Sequence, residues 1–427
     1  MGARAGAWAA LTRRLSLATR GLGPGLVTGA ADDDPSGIST YATAGAAYGY
    51  RVLWTTLFSF PLMAAVQLIC ARLGIVTGHG LAGVLRARYP RWVVWSGCAL
   101  LLTANTVNVA ADLGGMSDGL ALVTGVPSVW YHCLFAVLIV GLLVVTSYRT
   151  MARVLQWLTL ALLAYVGAAV LARPPWREVA AATLWPSVEP TRRYATVLVA
   201  ILGTTISPYL FFWQASQEVE ERGAVARGAA SSRGGTLEGA LRAARRDVVA
   251  GMFASNAIAF FIMLTTAATL YAAGARDIRS AREAAGALRP LAGNAASLLF
   301  ALGLVGTGML GVPVLAGATA YAVAEAGGWR GSMNDRPRQA PVFYAVIALG
   351  TLLGMGLNHT GVSGFRLLFW SAVLNGVLAP PLLWLILLVS NSRRVMGPHT
   401  NGLALNALGI LAALVMTAAA AALLLSG

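Results

Sequence analysis

The sequence predicts an all-α polytopic membrane protein: eleven transmembrane helices, built as a 5+5 inverted repeat with broken helices 1 and 6, plus one extra helix. Three observations carry this reading. Hydrophobic residues make up 57% of the 427 and charged residues only 11%, with a mean hydropathy of +0.70, a balance foreign to soluble domains of this size. Eleven apolar stretches are each long enough to cross a bilayer, which takes about 20 residues. Prolines interrupt the first and sixth stretches, at Pro35 and Pro208. Matched interruptions in two halves of a chain point to a transporter with repeats of opposite topology and a site near the midplane.

The stretches run 22–46, 52–75, 93–123, 129–147, 151–172, 194–220, 246–273, 293–325, 341–357, 364–390 and 403–426. They form one transport domain, 1–427: a cytoplasmic tail (1–21), the first repeat (22–172), the second (194–390) and the eleventh helix (403–426). An odd number of spans per repeat gives the two repeats opposite orientations. The longer stretches must tilt, break or extend beyond the bilayer.

The net charge of +15 comes from arginine alone, since the chain has no lysine. With the N-terminus inside, twenty arginines fall in inside segments and ten outside, with Arg72 at the end of the second span. That asymmetry follows the positive-inside rule. It predicts a cytoplasmic N-terminus, an outside C-terminus and a lipid bilayer, not nucleic acid, as the partner of the basic residues. Arginine without lysine and abundant alanine and glycine suggest a bacterial cell (plasma) membrane. Cys70, Cys98 and Cys133 show neither disulfide nor metal-ligand spacing. A monomer is expected, with no cofactor.

Along the chain, Thr77-Gly78 marks a turn, and a short helix is expected from Leu81 in an inside loop. In span three, Asn105, Asn108 and Asp112 are spaced three and four apart and share one helical face. This stripe either supplies interhelical hydrogen bonds or lines an ion path. Asp118 is expected near the outer end of that helix. Pro174, Pro175, Pro186 and Pro190 make 173–193 an external connection. Residues 221–245 read as a flexible inside loop with a helical piece near Leu237–Arg246. The glycines of span eight read as close helix packing. Asn375-Gly376 and Pro380-Pro381 predict a local distortion in span ten.

The candidate site is Asp32-Asp33-Asp34-Pro35-Ser36-Gly37. Acids at membrane depth cost at least ~2.5 kcal/mol each on insertion scales and are functional by default. Pro35 lacks a backbone donor and disfavours a helical Asp34, so the helix breaks there. An acid on unwound backbone inside a bundle reads as a cation site. Span six repeats the signal in Thr204-Thr205-Ile206-Ser207-Pro208-Tyr209.

These residues resemble the Nramp family of divalent metal transporters, and the resemblance covers nearly the whole chain. The family's first span carries Asp-Pro-Gly-Asn, where this chain has Asp34-Pro35-Ser36-Gly37. Its second span ends in a phrase close to Ala71-Arg72-Leu73-Gly74-Ile75-Val76-Thr77-Gly78. Its sixth carries Met-Pro-His-Asn, aligning with Ser207-Pro208-Tyr209-Leu210. The resemblance implies the eleven-span inverted-repeat bundle also found in sodium-coupled amino-acid transporters. It also implies a metal site of Asp34, Gly37, Thr204 and Ser207, with Asp112, Tyr209 and Gln214 at pathway positions; the residues themselves add Asp33 as helper and Asn108, on the stripe of span three, as a further pathway candidate.

The departures point to a different ion. Gly37 replaces the family's Asn, and Ser207 replaces its Met, the one soft ligand. Thr204 stands where the family supplies a backbone carbonyl. Carboxylate, carbonyl and water suit Mg²⁺, Ca²⁺ and Mn²⁺, and Mg²⁺ tends to keep several waters. The pattern is similar to the Nramp-related magnesium transporter branch and predicts uptake of Mg²⁺ and Mn²⁺ by alternating access. Coupled members carry acids in span three and histidines in span six. Here Asp112 matches one acid, Asn105 and Gly115 replace two others, and Tyr209 and Gln214 replace the histidines, so proton coupling is not expected. The alternatives are a proton-coupled Mn²⁺/Fe²⁺ symporter, an amino-acid carrier on the same fold, and an intramembrane enzyme. Three acids on one break suit a cation better than an anionic substrate. No His-Glu-x-x-His motif is present and the four histidines are peripheral, which argues against an enzyme.

Overall fold

Prolines, glycines and apolar runs fix where the chain turns. The computed structural model describes residues 23–145, 160–226, 236–360 and 363–425, and every regular element among them is helical. The first span is two helices, α1 (Pro24–Asp32) and α2 (Pro35–Tyr48). Next come α3 (Trp54–Thr77), the short α4 (Leu81–Arg88), α5 (Arg91–Thr124), α6 (Ser128–Val145) and α7 (Leu163–Leu171). A surface helix, α8 (Trp176–Leu184), precedes the second broken pair, α9 (Arg192–Thr205) and α10 (Pro208–Ala226). The chain continues through α11 (Leu237–Thr266), α12 (Ala296–Gly327), α13 (Pro341–Leu357), α14 (Gly364–Ser390) and α15 (Leu403–Leu425). Among the described residues, counting α9 and α10 as one, eight helices are long and apolar enough to cross a membrane; α7 with its leading turn and α13 are shorter apolar helices.

Several expectations need correction. The distortion expected in span ten does not end the helix: α14 runs continuously through Gly376, Pro380 and Pro381. Neighbouring helices tolerate such prolines in a membrane bundle, and small residues there admit close packing. A methyl at Gly203 of α9 would meet Ala372 O of α14 at 2.1 Å, so these helices cross backbone to backbone. The connection 173–193 holds α8, which its flanking prolines concealed. The helical piece near Leu237 is the start of α11, and α10 reaches Ala226. The expected tail 1–21 and residues 151–159 of the fifth span lie outside the described residues.

The broken helices sit in the middle of the bundle. On the side carrying α4, α1 is tied to α11. Asp247 accepts hydrogen bonds from Gly23 N–H (3.0 Å) and Gly25 N–H (2.8 Å), capping the N-terminus of α1. A cap of this kind is worth about 1 kcal/mol. Gly29 lies against Gly251 closely enough that a methyl would meet the Gly251 carbonyl at 2.3 Å. Also on that side, Glu325 of α12 accepts from Gly83 N–H of α4 at 3.0 Å. Glu220 of α10 is bonded to the Tyr321 hydroxyl of α12, and accepts from Met333 N–H at 3.1 Å and from Asn334. Gly78, in the left-handed region at φ 68°, turns the chain out of α3. On the opposite side the C-terminal half of α2 and the N-terminal halves of α9 and α14 stand around a cavity of 520 Å³.

Candidate cation site

Each proline in the broken spans orphans one carbonyl. In an α-helix the carbonyl of residue i accepts from the N–H of residue i+4. Pro35 has no N–H for Ala31 O, and Pro208 has none for Thr204 O. Both helices unwind at that point. Asp33 ends α1 at φ −85°, ψ 45°. Asp34 is extended (φ −66°, ψ 170°) and caps α2, its Oδ1 accepting from Gly37 N–H at 2.7 Å. Ile206 ends α9 at φ −119°, ψ 58°.

The orphaned carbonyls are answered by two side chains of the second break. The Tyr209 hydroxyl lies 3.1 Å from Ala31 O and 3.3 Å from Asp34 Oδ2. One proton serves one acceptor at a time, so the hydroxyl is shared between the carbonyl and the carboxylate. The Ser207 hydroxyl lies 2.7 Å from both Gly203 O and Thr204 O. It therefore folds back on its own helix, onto the carbonyl that the resemblance marks as a ligand.

The two breaks meet across Gly37. A methyl there would stand 3.2 Å from Thr204 Oγ1 and 3.4 Å from Tyr41 Cε2, so a missing side chain lets the second break approach the first closely. A second missing side chain, on α12, lets that helix approach both carboxylates closely. A methyl at Gly311 would stand 3.1 Å from Asp34 Cβ and 3.4 Å from Asp112 Oδ2. Asp112 is fully buried and faces the Ser36 amide at the first turn of α2. Asp34, at 2% exposure, is equally withdrawn from solvent. The result is a buried junction of two carboxylates, two break carbonyls and three hydroxyls, those of Thr204, Ser207 and Tyr209. All are hard oxygen donors suited to a divalent cation.

The other candidates lie elsewhere. Asp33 turns to α11, where the Ser255 hydroxyl donates between Asp32 Oδ2 (2.6 Å) and Asp33 Oδ1 (3.1 Å). Asn108 donates to Asn375 of α14 at 2.9 Å, and Asn105 to Leu315 O and Thr319 of α12, so this part of the stripe joins helices. Gln214 lies toward the α4 side, accepting from Thr28 Oγ1 at 2.6 Å and donating to Glu218 at 3.0 Å. The sequence reading missed Ser255 and Gly311. It also missed Met116, whose sulfur packs at Gly308 beside Pro35, one helical turn from Asp112. The glycine spacing on α12 was the only available signal for these contacts.

Two interrupted apolar helices meeting over buried carboxylates define a membrane transporter of the broken-helix type. The chain belongs to the Nramp family: the family model described as natural resistance-associated macrophage protein-like matches residues 25–426. It is 28% identical over 390 residues to the divalent metal cation transporter MntH of Aeromonas hydrophila subsp. hydrophila, spanning 89% of each chain. It is 30% identical over 296 residues to MntH of Pectobacterium carotovorum subsp. carotovorum, spanning 67% of this chain and 68% of the relative. Its fold matches the crystal structure of the Eremococcus coleocola manganese transporter, with a TM-score of 0.74 at 19% identity, covering 94% of this chain and 85% of the other. A more distant match is the nucleobase-cation symporter Mhp1, with a TM-score of 0.53 at 14% identity over 93% and 92%.

Proposed function

We propose that this chain carries divalent metal cations across the membrane by alternating access, with Mg²⁺ and Mn²⁺ as cargo and no coupled proton. The observation that carries the ion choice is the chemistry at the two breaks: Asp34, Thr204 and Ser207 offer oxygen alone, and Gly37 brings no side-chain ligand of its own. A few oxygen ligands and no sulfur among them favour a hard ion that keeps part of its water. Asp34 binds the ion directly or through water, while the Thr204 carbonyl and the Ser207 hydroxyl complete the shell from the second break. Transport, not catalysis, is the function, and the curated relatives bear transporter names.

The membrane potential is enough to drive entry. A divalent ion gains about 4.6 kcal/mol per 100 mV, twice the single-charge value. With the N-terminus inside, the cavity among α2, α9 and α14 faces outward and the Asp247 and Glu220 contacts close the cytoplasmic side. A monomer in a bacterial cell membrane suffices for this scheme.

A second reading, a proton-coupled Mn²⁺ carrier, draws on two observations. Asp112 stands buried beside Asp34, across Gly311, and the Met116 sulfur lies one turn away. Competition separates the readings: uptake of ⁵⁴Mn²⁺ into proteoliposomes is measured against Mg²⁺ and Cd²⁺. Efficient competition by Mg²⁺ supports the oxygen-only site. Competition by Cd²⁺ alone supports the second reading.

A further inference from the structure

The cavity among α2, α9 and α14 has the wrong charge for a cation entrance. Its 520 Å³ are lined by four arginines, Arg193, Arg276, Arg279 and Arg366, and by a single acid, Asp277. Asp277 is spent on Arg279, which grips it through Nε (2.9 Å) and Nη2 (2.6 Å). Arg276 lies over the Tyr271 ring, 4.4 Å from its centroid. Among the described residues, Arg193, Arg276 and Arg366 form no ion pair.

Two helix ends add to this field. Arg193 stands in the first turn of α9, capped by Thr191, and Arg366 in the first turn of α14, capped by Ser363. The first-turn amides near the cavity are already used: Phe365 N–H donates to Asp118 at 3.2 Å and Arg366 N–H to Ser363 Oγ at 3.4 Å. The helices thus contribute the positive ends of their dipoles, and the guanidinium groups contribute the donors. Planar guanidinium forks match the oxygens of a tetrahedral anion.

The cavity also lies on the route to the site. Thr43, on its wall, is nine residues beyond Asp34 on α2, and Thr196 is eight before Thr204 on α9. At about 1.5 Å per residue the cavity therefore stands some 12–14 Å along both helices from the breaks. A bare divalent cation taking that path meets three unpaired positive charges before it meets Asp34.

We propose that this vestibule binds a tetrahedral oxyanion of the sulfate and phosphate class, and that the bound anion admits the divalent cation to Asp34. The second half rests on the transport reading above; the binding itself does not. The same chemistry is available from a free anion or from a lipid phosphate at the membrane edge, where Trp370 lies exposed beside Arg366.

The test uses the intact protein, wild type and R193Q/R366Q. Mn²⁺ uptake into phosphatidylcholine vesicles is measured at constant ionic strength and constant free Mn²⁺, in chloride and with external sulfate. The chloride arm is repeated in vesicles containing phosphatidylglycerol. Sulfate is expected to lower the apparent KM at least threefold in the wild type. The double variant is expected to show the lower KM already in chloride and no sulfate response. An effect of sulfate alone assigns a free anion, and an effect of phosphatidylglycerol alone assigns a headgroup. An unchanged KM in both arms, or a sulfate response that survives in the double variant, overturns the proposal. Thermal unfolding of the detergent-solubilised protein separates binding from transport: sulfate should raise the melting temperature of the wild type by several degrees and leave the variant unmoved. If no cation is transported, that shift still decides whether the vestibule holds an oxyanion.

Discussion

The Tyr209 hydroxyl stands 3.3 Å from Asp34 Oδ2 and 3.1 Å from Ala31 O, so one side chain of the second helix break holds both polar groups exposed by the first. A metal ion arriving at Asp34 competes with this hydroxyl, which can turn wholly to Ala31 O. The site is thus satisfied before the ion arrives and gives up one shared hydrogen bond when it does.

Tyr209→Phe removes that competitor and leaves Ala31 O buried without a donor. Metal affinity, measured by calorimetry, should tighten a few-fold. The metal-free protein should lose about 1–3 kcal/mol, the cost of an unsatisfied buried acceptor. Weaker binding would mean that Tyr209 supports the bound ion.

Asp34 both caps α2 and carries the charge. Asp34→Asn keeps an oxygen for the Gly37 amide and removes the charge, so the fold should survive while uptake falls by about two orders of magnitude, the scale of losing a charge-assisted interaction of roughly 3 kcal/mol. Asp34→Ala should abolish uptake and cost about 1 kcal/mol more in stability through the lost cap. Retained uptake in either variant would place the site elsewhere.

Gly311 has no side chain where Asp34 and Asp112 already fill the space. Gly311→Ala puts a methyl 3.1 Å from Asp34 Cβ. Overpacking of this kind costs about 1–3 kcal/mol. Uptake should fall at least tenfold in protein that still reconstitutes. Asp112→Asn, by contrast, should leave Mg²⁺ uptake within about threefold and its pH profile unchanged, since one carboxylate without a relay gives no coupled proton. Loss of pH dependence in Asp112→Asn would favour the proton-coupled reading.

Ser207→Met introduces the soft ligand that the chain lacks. It also removes the hydroxyl that lies 2.7 Å from Gly203 O and Thr204 O. Competition curves should shift toward Cd²⁺ and Mn²⁺ over Mg²⁺ by about tenfold, the effect of a thioether on ion preference. Unchanged curves would remove ligand softness as the basis of selectivity.

The two breaks were legible in the sequence because proline's missing N–H is a local property. Pro35 and Pro208 mark where the helices open, and Asp34 follows from its place beside the first. Span positions were legible for the same reason: apolar length is local. The partners of the breaks were not. Tyr209 was expected as a pathway residue, and only the fold shows it reaching back across 175 residues to Asp34. Asp33 was expected to help bind the ion, yet Ser255 of α11 draws it away together with Asp32. The glycines of α12 read as packing, and Gly308 and Gly311 do admit close neighbours, but those neighbours are Pro35, Met116, Asp34 and Asp112. Asn375-Gly376 and Pro380-Pro381 read as a local distortion of span ten. Packing around α14 keeps that helix whole, a tertiary effect with no local signature.

The central claim is an oxygen-only site at the junction of the two breaks that passes Mg²⁺ without protons. It is tested most directly in proteoliposomes loaded with a Mg²⁺ dye and a pH dye, under an inside-negative potential set by K⁺ and valinomycin. The account predicts Mg²⁺ entry that rises with the potential, is lost in Asp34→Ala, and leaves internal pH unchanged. Acidification in step with metal entry, or entry of Cd²⁺ with no entry of Mg²⁺, would contradict it.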